Sequence, residues 1–175
     1  MKFASTPLRK LALALSFGLF AVGAQAQLSS PMGGAIPSGT GAGVHSPNSP
    51  FAPLPVRTDV LPWSVLTAVK SKVVKNRLLP VFPDSVQGLH QTKQRIQGFM
   101  MPLEPGEKQK HFLLTSVPLT CSFCIPGGPE SMVEVKTKVA VKYSFEPVVV
   151  EGQFMVLQDD PMGLYYRVID AVSIK

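Results

Sequence analysis

Val133-Glu134-Val135-Lys136-Thr137-Lys138-Val139-Ala140-Val141-Lys142-Tyr143 is the stretch on which the fold turns. Val133, Val135, Thr137, Val139, Val141 and Tyr143 alternate with Glu134, Lys136, Lys138, Ala140 and Lys142. Successive side chains of a strand point to opposite faces, so this reads as a strand with one wet and one dry face. Working outward, 111–117 reads as a mostly buried strand before it. Residues 92–103 form another, bent at Gly98 and stopped at Pro102, and Glu104-Pro105-Gly106-Glu107 is a turn by composition. Downstream, 148–157 is a strand with a bend at Gly152. Asp159-Asp160-Pro161-Met162-Gly163 is a loop, and 164–174 is the last strand.

The first element of the folded region reads as a helix. Asp59 is placed to cap it, Pro62 suits its first turn, and Leu61, Val65 and Val69 are spaced four apart. Trp63 and Leu66 widen the apolar face. Lys70, Lys72, Lys75 and Arg77 follow with no acid among them. That run reads as a solvated helix end, where cations oppose the dipole, in preference to a patch for an anionic surface. Pro80, Pro83 and Asp84 break the chain, and 85–89 is a short helical turn. The expected class is mainly β: a small antiparallel barrel of about five strands, OB-like, or a sandwich, with an N-terminal helix.

The two ends of the chain are of different kinds. Residues 1–26 open with Lys2, Arg9 and Lys10, continue through a fourteen-residue uncharged run, and close on Ala24-Gln25-Ala26. That is the pattern of a secretory signal peptide cleaved after Ala26, and the run is short of the ~20 apolar residues of a span. The expected location is periplasmic, with no membrane span after processing. Residues 27–57 hold six Pro, five Gly and five Ser, with Arg57 the one charged residue. They read as a disordered tether, with His45 solvated in it. The compact β-rich domain is then 58–175.

Charge narrows the function. The chain carries 17 basic and 11 acidic residues, a net +6. Loss of the label leaves 14 basic and 11 acidic residues, and the domain itself carries 13 and 11. A net charge of +2 and an export label weigh against nucleic acid as partner, although Tyr143, Tyr165 and Tyr166 would suit a stacking surface. No Gly-x-Ser-x-Gly, His-Glu-x-x-His, phosphate loop or dinucleotide fingerprint occurs. The expectation is a protein that is not an enzyme.

Cys121-Ser122-Phe123-Cys124, followed by Ile125-Pro126-Gly127-Gly128-Pro129, is the one sharp motif. Three readings stay open. Two thiolates at this spacing can chelate zinc or copper, with His111 as a third ligand and His90, Asp159 or Asp160 as further candidates. Met100, Met101, Met132, Met155 and Met162 would supply soft sulfur for copper, or simply fill gaps in a core. The pair can instead be a structural disulfide, favoured by an oxidising compartment. An active thiol–disulfide redox pair is the third reading. The prolines that follow forbid the helix that usually activates the first thiol.

Gln97-Gly98-Phe99-Met100-Met101-Pro102-Leu103, His111-Phe112-Leu113-Leu114 and the Cys121 to Pro129 stretch together resemble a family of small exported bacterial proteins of unknown function (DUF3299). Val149-Val150-Glu151-Gly152 and Gly163-Leu164-Tyr165-Tyr166 fit its order too, and the resemblance runs over roughly 60–175. It implies no activity. It implies a setting beside ABC-type transporter components, some tied to zinc or other metal handling, and thus a transport accessory as an expected role. Cys121 and Cys124 are the positions it singles out.

Overall fold

A computed structural model of the chain describes residues 41–174. The expected signal peptide and the first part of the expected tether, 27–40, lie outside the described residues. The elements in order are α1 (Trp63–Leu66), β1 (Lys70–Val74), β2 (Arg77–Val81), α2 (Asp84–Gln87), β3 (Thr92–Pro102), β4 (Lys108–Thr115), β5 (Met132–Lys142), β6 (Val148–Val156) and β7 (Tyr166–Ile174). A three-residue 3-10 turn, Pro129–Ser131, precedes β5.

The five strands β3 to β7 close into a barrel in the order β3-β4-β5-β7-β6. β3 pairs with both β4 and β6, and every pairing is antiparallel except β5 with β7. This is the OB-like Greek-key barrel, with one parallel pair where an all-antiparallel sheet was expected. Alternation fills the inside. Phe112, Val135, Val168 and Phe154 stand opposite one another around the barrel and are fully buried. Leu114 and Val133 form the next layer. Leu66, Phe82 and Val86 belong to the same core, with Phe82 and Phe154 ring centroids 5.6 and 5.4 Å from that of Tyr166.

Bends fall where glycine permits them. β3 pairs with β6 up to Gly98 and with β4 from Phe99 onward. A Cβ on Gly98 would lie 2.6 Å from the Thr115 carbonyl oxygen, so the crossover requires glycine here. β5 departs from strict alternation. Its register slips between Val135 and Thr137, and beyond the slip Val139 is 70% exposed where a dry position was expected.

The expected N-terminal helix is much shorter than its apolar spacing suggested. Only Trp63–Leu66 is helical, and Pro62 at its N-cap makes no side-chain cap. Asp59 instead accepts two hydrogen bonds from Arg57, at 2.9 and 2.8 Å, which holds its carboxyl down at about 2. The basic run is therefore no helix end. β-branched Val73 and Val74 favour a strand, and Lys70 to Val81 forms a hairpin that holds the whole run. The helix is anchored by Trp63 Nε1, which donates to the Gln97 carbonyl at 2.9 Å, and by Leu66, whose carbonyl accepts from the Tyr166 hydroxyl at 2.6 Å.

Residues 41–57 are not a free tether. Val44 and Ile125 exchange both backbone hydrogen bonds, Ser116 Oγ donates to the Ala42 carbonyl at 2.5 Å, and Gly41 N donates to Glu130 at 2.8 Å. His45, expected in solvent, is half-buried. Its Nε2 lies out of solvent without a hydrogen-bond partner. Gly and Pro deprive this segment of regular structure but let its backbone lie flat on the β4–β5 loop. Among the described residues no helix is long and apolar enough to cross a membrane.

Candidate functional site: the disulfide loop and the charged face beside it

The loop 116–131 joins β4 to β5. Its first turns are set by backbone bonds from Cys121 N to the Pro118 carbonyl at 3.1 Å and from Cys124 N to the Cys121 carbonyl at 3.2 Å. Those consecutive turns bring the two cysteines to a Cα separation of 5.3 Å, and they are joined as a disulfide. Cys121 is 6% exposed, and Ser49 Oγ lies 3.3 Å from its sulfur. Beyond Cys124 the chain is extended where Ile125 pairs with Val44, and it then passes Gly127, whose surroundings leave no room for a Cβ. Ser131 Oγ closes the loop on the Gly128 carbonyl at 2.8 Å.

This arrangement bears on the chemical readings. A disulfide sulfur lacks the thiolate charge that binds a metal. No α-helix starts at the pair, so the dipole that activates a redox cysteine is missing. His111 does not join the sulfurs. Its Nε2 hydrogen-bonds Glu134 Oε1 at 2.7 Å. His90 Nδ1 accepts from the Val156 backbone at 3.1 Å. Asp160 Oδ1 accepts from Met162 N at 2.9 Å, as an aspartate in a turn does. Met100 is in the core. Among the described residues no group of three or more His, Cys, Asp and Glu converges as metal ligands. The expected set of Cys121, Cys124 and His111 is thus not assembled, and as bonded the sulfurs do not fit zinc or copper.

The loop does present apolar side chains. Phe123 is 62% exposed, and Leu119 and Ile125 are exposed with it. Leu119 also lines a cleft of about 50 Å³ with Met101, Pro118, Tyr143 and Phe145. The Phe145 ring lies edge-on to Tyr143 at 5.3 Å and tilted against Phe51 at 5.9 Å. Tyr165 and Tyr166, the other two tyrosines of the chain, are buried in the core.

A second feature lies on the outer face of β4, β5 and β7. Register sets Glu134 between Leu113 and Arg167. The Glu134 carboxylate accepts from Arg167 Nε and from His111, while Lys136 Nζ stands 3.6 Å away. Arg167 also donates to Asp160 Oδ2 at 3.2 Å, which ties the 157–165 loop to the sheet. Burial pushes the Glu134 carboxyl up, but the bonds from Arg167 and His111 outweigh it and hold the group below its usual range. The period-two pattern placed Glu134 on the wet face, yet it is 5% exposed because its partners cover it. No sequence signal names those partners, since they come from three strands and a loop. Every charge in the cluster is matched, which makes it a brace and not an open site.

Among curated proteins there is no match. A solved structure that resembles the chain is a DUF3299 family protein from Pseudomonas aeruginosa PAO1. It is 22% identical, with a TM-score of 0.39, over 75% of this chain and 91% of that one. The family described as a protein of unknown function (DUF3299) matches residues 68–168, more than half of the chain, and the protein belongs to that family.

Proposed function

We propose that the protein is a non-enzymatic binding module of the periplasm, in which the Cys121–Cys124 disulfide holds an apolar loop ready for a protein partner. One observation carries this reading. The two cysteines of the motif are bonded to each other, and Leu119, Phe123 and Ile125 around them face solvent. A tie across four residues orders a loop before it binds, which lowers the entropy lost on association. A persistent disulfide and an export label both favour an oxidising compartment. The setting implied by the family resemblance makes ABC-type transporter components the first partners to try.

A thermal melt tests the reading. The untreated protein is expected to show no free thiols. Reduction should lower its Tm by about 5 °C, from the ~1–2 kcal/mol that so small a loop contributes. Zinc or copper should leave the untreated protein unchanged. Free thiols in protein taken from the periplasm, or a metal-dependent rise in Tm that Cys121→Ser removes, would overturn it. Phe123→Ser should keep the Tm and weaken binding to transporter components by about tenfold or more, as loss of a central aromatic anchor does.

A further inference from the structure

β1 and β2 form a two-stranded sheet of their own outside the barrel. All five residues of β1 are exposed. The base of the hairpin is held: Pro80 is buried and Ser71 Oγ lies 3.1 Å from the Tyr165 hydroxyl. The tip is different. Val73 stands opposite Leu78, and these two are 73% and 57% exposed. Lys75 and Asn76 turn the chain with φ of 46° and 64°, a primed two-residue turn. Arg77 links the tip to the 157–165 loop through Asp159 at 2.5 Å. Met162 in that loop is 83% exposed and lines the same cleft as Leu78.

Charge marks this tip as well. Lys70, Lys72, Lys75 and Arg77 lie in a stretch, 60–83, that contains no acidic residue. A helix dipole would have explained them, but a hairpin has almost none. An isolated two-stranded hairpin is also marginal in water, and Val73 and Leu78 remain mostly exposed. Arg77 is taken up by Asp159, but the fold shows no ion pair for Lys70, Lys72 or Lys75 among the described residues and leaves Val73 and Leu78 largely exposed.

We infer that this hairpin docks on an anionic phospholipid surface. Val73, Leu78 and Met162 enter the headgroup region, and Lys70, Lys72 and Lys75 meet the lipid phosphates. Lysine suits this because its alkyl stem lies along apolar surroundings while the ammonium reaches out. Cations mixed with aliphatic side chains on a projecting tip are the pattern of interfacial binding, where burial and charge attraction act together. An acidic protein surface would use the cations and leave the aliphatic tip in water.

Vesicle co-sedimentation tests this with exported wild-type and variant proteins that share one N-terminus, so that only the hairpin differs. The vesicles are phosphatidylcholine alone, or phosphatidylcholine and phosphatidylglycerol in equal parts. Wild type should bind the anionic vesicles more tightly, and salt should weaken that preference. Lys72→Gln with Lys75→Gln should weaken binding by roughly fivefold for each cation lost. Val73→Ser with Leu78→Ser should weaken it on anionic vesicles while leaving the salt dependence in place. An unchanged Tm in each variant keeps the comparison valid, since the hairpin stands outside the barrel. Equal binding to both vesicle types, or variants that bind as wild type does, overturns the inference. So does binding to an acidic polypeptide such as polyglutamate without binding to anionic vesicles.

Discussion

Glu134 is the residue on which the charged face depends. Its carboxyl ionises more readily in the folded chain than in the unfolded one. The stability this supplies is complete above the ordinary value of 4.5 and is lost as pH falls through the lower folded value. Glu134→Gln should cost about 2 kcal/mol at neutral pH, because half-buried Arg167 loses one of its two counter-charges and keeps only Asp160. The same variant should flatten the acid fall in Tm below the ordinary value of 4.5 relative to wild type. An equally steep acid limb in the variant would place the effect on other carboxylates. Tyr166 makes a simpler case. Burial holds its phenol well above the ordinary range, so its hydroxyl stays a donor to the Leu66 carbonyl. Tyr166→Phe leaves that carbonyl without a partner and should cost about 1–2 kcal/mol, read as a lower urea midpoint with an unchanged slope.

At the scale of elements, β3 is the strand with least freedom. Its change of partner at Gly98 brings the backbone against Thr115 and Leu114. Gly98→Ala forces these apart and should cost about 3 kcal/mol, measured by chemical unfolding; a loss below about 1 kcal/mol would mean that the two strands can separate freely. That bend and all five barrel strands were legible in the sequence. A period-two run named β5, apolar runs between turns named the others, and Pro102 and the Asp159 to Gly163 loop marked two of the ends. The β1–β2 hairpin was not legible. Leu61, Val65 and Val69 mimic a helical stripe, and the turn at Lys75-Asn76 lacks the glycine that usually announces such a hairpin. Lys75 in that turn adopts a left-handed backbone that lysine disfavours. Lys75→Gly should therefore sharpen the hairpin, seen as slower amide exchange at the cross-strand bonds of β1 and β2.

For the whole molecule, the site was legible only in part. Cys121 and Cys124 stood out by spacing, but spacing alone cannot say whether two sulfurs meet a metal or each other. The packing of 41–57 over their loop depends on backbone contacts such as Val44 with Ile125, which side-chain patterns do not encode. The pairing of Glu134 with Arg167 depends on the parallel register of β5 and β7, which is a property of the closed barrel. That register carries one more consequence. β7 lies between β5 and β6 in the order of the sheet, so the strand latest in sequence is inserted into the middle of the barrel wall. Until residues 166–174 arrive, the other four strands form an open sheet with two bare edges, and Phe154, Val135 and Glu134 lack their partners on β7. Such long-range closure is slow compared with the pairing of neighbouring strands. The barrel therefore cannot close until β7 is in place between β5 and β6.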